Sequence, residues 1–344
     1  MNKLKVGVIG LGMGRFHLIE YKKHPMVELV AVADMDKERL SCAEEEFGVA
    51  AYTSAEEMLG KASLDVVSIC TPNKFHKPLT IAALRAGCHV LCEKPMALNA
   101  MEAQEMLDEA KKAGRRLMIN FSYRFNDQSF ALKKQVESGV LGDIYFGRSV
   151  WHRRRGLPGF GGWFGIKELS GGGPLIDLGV HRLDLALWLM GYPKPTWVMG
   201  ATYDPIASEL AKRSGKKFDV EDLAVASIKF ENGATLNVEA SWATNQKYNE
   251  CMETLLFGTK GGLTQKNVNE GYSFEAEIHL ESEGCQFDMK LHPPVPAAKP
   301  SMLHFVDAIL NNEPHIATGE EGLIVMKILD AIYESARAGA PVKV

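Results

Sequence analysis

The first third of the chain alternates short apolar runs with segments of helical spacing. The runs typical of buried strands are Lys5–Ile9, Glu28–Ala33, Asp65–Cys70, His89–Cys92 and Leu117–Phe121. Between them, Lys37–Phe47 has helical periodicity, and Ser54 and Asn99 are typical helix N-caps. Strands that alternate with helices form right-handed β–α–β units, so we expect a doubly wound parallel sheet over residues 1–122.

The pattern changes after about residue 122. The strand-like runs are now Ile144–Val150, Leu223–Phe230 and Ala234–Trp242. Glu231-Asn232-Gly233 separates the last two, and Asn-Gly between alternating runs is a strong hairpin signal. We therefore predict a second α/β domain over residues 123–344, with a largely antiparallel sheet and a final helix at Gly319–Ala338.

Composition excludes several classes of protein. With 39 Lys and Arg against 43 Asp and Glu, the net charge is −4, which does not favour nucleic acid as a partner. No apolar run approaches the roughly 18 residues that span a bilayer. The six cysteines are too few for a disulfide scaffold, and we expect Cys88 and Cys92 to be buried thiols rather than metal ligands. These features predict a cytoplasmic protein without a metal site and without membrane contact.

A glycine cluster follows the first strand and opens the first helix. Gly10 permits a tight turn, Gly12 and Met13 lie where backbone amides would approach a pyrophosphate, and Gly14 allows close helix–strand packing. A strict G-x-G-x-x-G motif would have its third glycine one residue later. The strand before, the helix after and Asp34 at the end of the second strand together predict a Rossmann dinucleotide site.

Asp34 favours NAD as the cofactor. A carboxylate at this position accepts hydrogen bonds from a ribose diol and repels a 2′-phosphate. Lys37 and Arg39 lie close in sequence, so NADP remains the less favoured alternative.

Two further turns end strands at the edge where doubly wound sheets bind ligands. One is Thr71-Pro72-Asn73, with His76 shortly after it, and the other is Glu93-Lys94-Pro95. We assign both turns and His76 to the cofactor site. Because proline keeps the residue before it extended, the Lys94 ammonium is expected to point into the cleft rather than continue a helix.

The helix predicted over Pro174–Met190 is apolar nearly all round. At about 100° per residue, Asp177, His181 and Asp184 fall within roughly 60° of one another. One interpretation is a satisfied internal network. The other is catalytic: His181 removes an alcohol proton, Asp177 orients it, and Lys94 stabilises the reacting oxygen.

A glycine- and proline-rich stretch from Gly156 to Pro174 predicts a long loop over the site. The candidate substrate contacts in and before it are His152, Arg153, Arg154, Arg155, Trp163 and Lys167. Trp163 suits stacking on a sugar ring, and the cations suit hydrogen bonds to hydroxyls. The alternative interpretation is a solvated basic loop with one packing tryptophan.

The chain resembles the Gfo/Idh/MocA family of sugar and cyclitol oxidoreductases over essentially its whole length. The motifs that carry the resemblance are Val8-Ile9-Gly10-Leu11-Gly12 with His17, Thr71-Pro72-Asn73, Glu93-Lys94-Pro95, Gly171 through His181 to Asp184, and Thr318-Gly319-Glu320-Glu321-Gly322. The resemblance implies a Rossmann domain followed by an open, mostly antiparallel sheet that packs in homodimers or homotetramers. By similarity Lys94, Asp177 and His181 match the catalytic residues, and a cis bond between Lys94 and Pro95 is allowed.

Three hypotheses of function follow. The leading one is an NAD-dependent dehydrogenase that acts on a ring hydroxyl of a sugar, glycoside or cyclitol. The stretch from Trp163 to Lys167 resembles members that handle hexose or glucoside rings. The alternatives are an NAD-dependent glycosidase of the same fold and a non-catalytic sensor of the cofactor. A sensor needs only the glycine loop, so the presence of Lys94, Asp177 and His181 argues against it.

Overall fold

The computed structural model describes residues 2–295 and 297–344. The chain divides into two units. The first runs up to Phe121 and also includes Lys299–Met326, and the second comprises Ser122–Ala298 and Lys327–Val344. The sequence predicted one boundary between residues 122 and 123. The structure begins the second unit at Ser122 and assigns a later segment to the first unit as well.

Within the described residues, six parallel strands form the sheet of the first unit, in the order β3-β2-β1-β4-β5-β6. The strands are β1 (Leu4–Ile9), β2 (Val27–Ala33), β3 (Ala50–Tyr52), β4 (Val66–Ile69), β5 (His89–Glu93) and β6 (Leu117–Asn120). The helices are α1 (Leu11–Lys22), α2 (Lys37–Phe47), α3 (Ala55–Lys61), α4 (His76–Arg85) and α5 (Ala100–Ala113). The doubly wound parallel sheet is thus confirmed.

Side-chain caps explain where several of these helices begin. Asp36 accepts the amides of Glu38 and Arg39 at the start of α2. The predicted caps Ser54 and Asn99 accept the backbone amides three residues later, at the starts of α3 and α5. A side-chain oxygen in this position satisfies an amide that has no partner within the helix.

The second unit is built on a nine-stranded sheet, counted over the described residues, in the order β14-β13-β12-β11-β7-β10-β9-β8-β15. Its elements up to residue 290 are α6 (Asp127–Glu137), β7 (Ile144–Arg153), α7 (Lys167–Ser170), α8 (Val180–Leu189), β8 (Pro195–Tyr203), α9 (Pro205–Ser214), β9 (Leu223–Phe230), β10 (Thr235–Ser241), β11 (Glu250–Gly258), β12 (Gly261–Asn267), β13 (Phe274–Ser282) and β14 (Cys285–Lys290). The chain ends with α10 (Ser301–Leu310), α11 (Gly319–Ala338) and β15 (Val342–Lys343).

The strand pairing follows the prediction closely. The Asn-Gly hairpin between β9 and β10 is confirmed, with Gly233 at a φ of 87°. Among the strand pairs that the described residues form in this sheet, only β7 with β10 is parallel. The strand predicted over Ile144–Val150 ends too early, because β7 runs on through His152 and Arg153. The following stretch also holds short helical turns at Trp163–Gly165 and in α7.

The helix that carries the polar residues is not uniform. Leu175–Gly179 forms a π-helical turn, and regular α-helix begins only at Val180. A π turn takes an extra residue per turn, so the angles calculated from regular spacing do not hold. Asp177 lies in the π-helical turn, whereas His181 and Asp184 lie in the regular α-helix that follows it, so the calculated spread of roughly 60° does not apply to the three residues.

Asp184 forms a buried ion pair with Arg124. Its carboxylate accepts two hydrogen bonds from the Arg124 guanidinium, at 2.8 and 2.6 Å, and one from the Tyr192 hydroxyl at 2.6 Å. Side-chain exposure is 0% for Arg124 and 1% for Asp184. The pair ties the segment before α6 to the middle of α8.

None of the helices in the part of the chain that the structure describes combines the length and the apolar character needed to cross a bilayer.

Substitution of Asp184 is expected to be strongly destabilising. Asp184→Ala leaves the Arg124 charge buried without its carboxylate, which costs about 3–5 kcal/mol of unfolding free energy. Glu57→Ala is the control, because it removes an exposed carboxylate whose ion pair with Lys61 lies at the surface and is screened by solvent. Urea unfolding measures both variants. A loss at Asp184 no larger than at Glu57 would contradict the assignment.

Candidate active site

The glycine loop of the first unit is built around backbone that tolerates no side chain. Gly10 precedes α1 with a φ of 88°, and a Cβ there would lie 2.6 Å from the Cys70 carbonyl oxygen. At Gly14 a Cβ would lie 2.6 Å from Val8 Cγ1, so this glycine sets the close approach of α1 to β1. Gly12 and Met13 are exposed at the start of the helix. The loop therefore leaves the N-terminus of α1 accessible for an anionic ligand.

Asp34 is held beside this loop. One carboxylate oxygen accepts the Leu11 amide at 2.6 Å, and the other accepts the Asp36 amide at 2.8 Å. The Arg39 Nη1 atom lies 3.9 Å from the same carboxylate. The cradle without Cβ atoms, the open helix N-terminus and the adjacent fixed carboxylate fit the pyrophosphate and ribose of a dinucleotide.

His76 joins the two ligand-edge turns to each other. Its Nδ1 lies 2.7 Å from the Pro95 carbonyl oxygen, and its Nε2 lies 2.9 Å from the Thr71 carbonyl oxygen. Burial lowers the pKa of His76, so the neutral ring donates to one of these oxygens at neutral pH. The imidazole is 1% exposed, which favours a role in holding the turns over direct contact with a cofactor.

Glu93 is the last residue of β5 and is engaged in a buried network. Its Oε1 is 2.9 Å from His17 Nε2 and accepts the Asn120 amide at 2.6 Å, and its Oε2 accepts the Lys94 backbone amide at 3.3 Å. Burial alone would raise the pKa of Glu93. The hydrogen bonds from His17 and Asn120, together with the charges of His17 and Lys94, outweigh the effect of burial and hold the pKa of Glu93 below its ordinary value. The carboxylate thereby fixes the backbone from which the partly buried Lys94 side chain departs. The Lys94–Pro95 bond is cis, as the resemblance allowed.

In the second unit, Asp177 lies in the π-helical turn and accepts a hydrogen bond from Trp242. The Trp242 Nε1 atom donates to Asp177 Oδ2 at 3.0 Å. Trp242 is buried just after β10, within an apolar cluster that includes Leu178 and Phe218. The indole thus fixes the orientation of the carboxylate. Sequence reasoning missed this contact, although Trp242 was recognised at the end of a strand.

His181 lies in the first turn of α8 against two aromatic rings. The Tyr123 ring is edge-on to the imidazole with centroids 4.9 Å apart, and the Trp151 ring is tilted at 5.8 Å. The same two rings contact the buried guanidinium of Arg182, at 4.7 and 5.8 Å. Burial lowers the pKa of Arg182 to about 10. A histidine beside fixed rings and close to a buried cation is suited to acid–base chemistry.

The predicted substrate contacts fall into different environments. Successive side chains of a strand point to opposite faces, and Trp151 faces His181, so His152 points away from it. His152 instead lies 3.4 Å from Glu239 Oε2, and burial lowers its pKa. The structure therefore excludes His152 from the group around His181. Arg153 shares the face of Trp151, and it donates to Glu250 at 2.9 Å.

Trp163 and Lys167 remain candidate contacts. The Trp163 ring stacks on Phe164 with centroids 3.8 Å apart. Lys167 is exposed, and its backbone amide donates to Asp219 at 2.6 Å. Across the described residues, no group of three or more His, Cys, Asp or Glu side chains is placed to hold a metal ion.

A parallel sheet with a dinucleotide cradle, followed by a second α/β domain, is the architecture of a two-domain nicotinamide-dependent oxidoreductase. Family models confirm this class. The oxidoreductase family with an NAD-binding Rossmann fold matches residues 4–121, and its C-terminal alpha/beta domain matches residues 133–344. The chain belongs to the Gfo/Idh/MocA oxidoreductase family.

Named relatives match over nearly the full length. D-glucoside 3-dehydrogenase of Escherichia coli is 35% identical, with 99% of this chain and 97% of that protein covered. Myo-inositol 2-dehydrogenase of Thermotoga maritima is 28% identical over 99% and 98%. A solved structure of levoglucosan dehydrogenase in complex with NADH superimposes with a TM-score of 0.86 at 26% identity, covering 100% of this chain and 99% of that one.

Substitution of Asp34 tests the cofactor assignment. Asp34→Ala removes a charged acceptor for the ribose diol, so the dissociation constant for NADH should rise about tenfold or more, and that for NADPH should rise less. Asp36→Ala is the control, because it loses a helix cap of α2 but leaves Asp34 in place. Fluorescence titration with both reduced cofactors measures the effect. Equal losses for NADH and NADPH would refute the role of Asp34.

Proposed function

We propose that the protein oxidises a secondary ring hydroxyl of a sugar, glycoside or cyclitol, reversibly and with NAD. The observation that carries the proposal is the placement of Asp177 and His181 four residues apart on adjoining helical turns, with Trp242 donating to the carboxylate and two aromatic rings against the imidazole. The names of the relatives support the substrate class, since they act on a glucoside and an inositol. Of these, the glucoside dehydrogenase is the more similar and favours a hexose ring.

Each proposed catalytic group has one task. His181 takes the hydroxyl proton of the substrate in the oxidation direction and returns it in reduction. Asp177 keeps the imidazole oriented and stabilises the imidazolium form. Lys94 donates a hydrogen bond to the reacting oxygen and stabilises the negative charge that develops there. When bound, NAD would supply the hydride acceptor for oxidation or the hydride donor for reduction.

The residues of the glycine loop and Asp34 would hold the cofactor. The N-terminus of α1 carries partial positive charge toward the phosphates, and Asp34 accepts from the ribose hydroxyls. NAD is favoured over NADP because the Asp34 carboxylate repels a 2′-phosphate. Arg39 lies within 3.9 Å of Asp34 and is the group through which NADP would bind instead.

Substrate hydroxyls would be bound by residues of the second unit. Trp163 offers a half-buried aromatic ring against which a sugar could pack, and Lys167 and Arg153 offer donors. Carbohydrates combine apolar C–H faces with many hydroxyls, so an aromatic surface edged by charged donors suits them. His152 is not part of this proposal.

We also propose that the protein assembles as a homodimer or homotetramer through the open face of the nine-stranded sheet. This face carries Arg148 and His152, and it is opposite to the face on which Ser149 contacts the backbone of Arg182. Four large apolar side chains on strands β8 and β11 are exposed on this face, and they are Trp197, Met199, Tyr203 and Phe257. Light scattering measures the mass in solution.

The activity is tested by a panel of hexoses, methyl and aryl glucosides, and inositols. Absorbance at the NADH band should rise with at least one ring substrate and NAD. Release of an aglycone without net NADH formation would show transient oxidation and elimination instead, and absence of any cofactor-dependent reaction would contradict the proposal.

Loss of the proposed base should abolish turnover but leave cofactor binding intact. His181→Ala is expected to lower kcat by about a hundredfold or more, because general-base catalysis contributes about that factor. The dissociation constant for NADH should stay within about twofold, since the glycine loop is unchanged. His279→Ala is the control, because His279 lies on β13 and pairs with exposed Asp288. Unchanged turnover in His181→Ala would dismiss the assigned role.

A further inference from the structure

Three glycines precede the π-helical turn, and the structure shows what two of them accommodate. A Cβ on Gly172 would lie 2.0 Å from the Tyr333 hydroxyl oxygen. A Cβ on Gly173 would lie 2.1 Å from the backbone oxygen of Glu221. Glycines are required here because Tyr333 of α11 and Glu221, two residues before β9, lie too close to the start of the π-helical turn to leave room for a Cβ.

Glu221 fills the space that these glycines leave. Its carboxylate accepts the Gly173 amide at 2.9 Å through Oε2 and the Leu175 amide at 3.2 Å through Oε1. The Tyr333 hydroxyl donates to Oε1 at 2.8 Å. Glu221 is only 8% exposed. A carboxylate that accepts hydrogen bonds from backbone amides at a helix N-terminus also interacts favourably with the helix dipole.

Two short backbone connections lead from this carboxylate to the proposed catalytic pair. The Gly173 carbonyl accepts the Asp177 amide at 3.1 Å. The Leu175 carbonyl accepts the amide of Val180, which directly precedes His181. Gly173 and Leu175 thus donate their amides to Glu221. Through their carbonyls they accept hydrogen bonds from the backbone of Asp177 and of Val180, the residue before His181.

We propose that Glu221 is a positioning residue: its carboxylate holds the π-helical turn in the register that presents Asp177 and His181 together. This inference rests on the proposed function for its kinetic consequence but not for its structural one. Glu221 does not touch substrate or cofactor in this assignment. It acts through the backbone of Gly173 and Leu175, and Tyr333 keeps its carboxylate in place.

The adjacent residue offers a matched control. Asp222 is also buried, and its carboxylate accepts the amides of Ile206 and Ala207 at 2.8 and 2.7 Å, at the start of α9. Burial raises the pKa of both acids above their ordinary values. Glu221→Gln and Asp222→Asn therefore make the same chemical change at two helix N-termini. The Glu221 side chain binds the turn that holds Asp177, whereas the Asp222 side chain binds the start of α9. The Asp222 backbone carbonyl, which the substitution keeps, accepts the Trp242 amide at 2.9 Å.

The kinetic experiment measures kcat and KM of Glu221→Gln and Asp222→Asn, using the substrate that the panel identifies. Glu221→Gln places an amide donor against a backbone donor, so the turn shifts and kcat should fall about tenfold to a hundredfold. The KM for NAD should stay within about twofold, because the residues that hold it are untouched. Asp222→Asn should lower the melting temperature and leave kcat within about twofold. Equal loss of kcat in both variants, or no loss in Glu221→Gln, overturns the proposal.

Fluorine NMR tests the positioning role of Glu221 independently of turnover. The chain has five tryptophans, and Trp242 reports on Asp177 through its indole hydrogen bond. In protein labelled with 5-fluorotryptophan, Trp242→Phe assigns the Trp242 signal in the fluorine NMR spectrum. Because the Asp222 carbonyl accepts the Trp242 amide and is kept in Asp222→Asn, we expect this variant to displace the signal less than Glu221→Gln does. Equal displacement in both variants overturns the proposal. An unmoved signal in Glu221→Gln overturns the proposal.

An inactive wild-type protein and an unfolded Glu221→Gln variant lead to different conclusions. If the wild-type protein oxidises no member of the panel, the proposed function fails, and the fluorine spectra alone decide for or against Glu221 as a positioning residue. If Glu221→Gln does not fold, Tyr333→Phe replaces it, because it removes one of the three donors and keeps the carboxylate. A smaller displacement of the Trp242 signal in Tyr333→Phe supports the proposal, and no displacement overturns it.

Discussion

Backbone amides at helix N-termini determine how each unit presents its functional groups. The first turn of a helix has amides without partners inside the helix, and something must accept from them. In the first unit the glycine loop keeps side chains away from the start of α1, and Asp34 binds the Leu11 amide beside it. In the second unit the buried carboxylate of Glu221 occupies the corresponding position at Gly173 and Leu175. One helix start is suited to bind a ligand, and the other is anchored by the protein itself.

Much of the fold follows from local patterns, and those parts were predicted. Alternation of strand and helix gave the parallel sheet, and the Asn-Gly pair gave the β9–β10 hairpin. The return of Lys299–Met326 to the first unit could not be predicted in this way. That segment contains the bridge of Thr318 with Met118, a pairing between residues two hundred positions apart in sequence. No local periodicity records such a contact.

The sequence predicted the candidate site residues that lie close together along the chain. It missed the residues that contact them from distant positions in the sequence. Periodicity singled out Asp177, His181 and Asp184, but regular spacing could not foresee the π-helical turn, and Asp184 proved to pair with Arg124. Trp242 and Glu221 were missed because they reach the helix from other elements. The triple glycine did carry a signal: glycines that open a helix indicate that another part of the chain lies against it.

The anchoring of α8 at two places has a consequence for the proposed base. Glu221 holds the turn before His181, and the Arg124–Asp184 ion pair holds the turn after it. Both anchors are buried groups that do not take part in the proposed proton transfer. The contacts of His181 with Tyr123 and Trp151 are between ring faces and edges. Because the helix is held by other groups, the imidazole can gain and lose a proton without the helix having to move, and a base that cycles between two charge states requires a support of this kind.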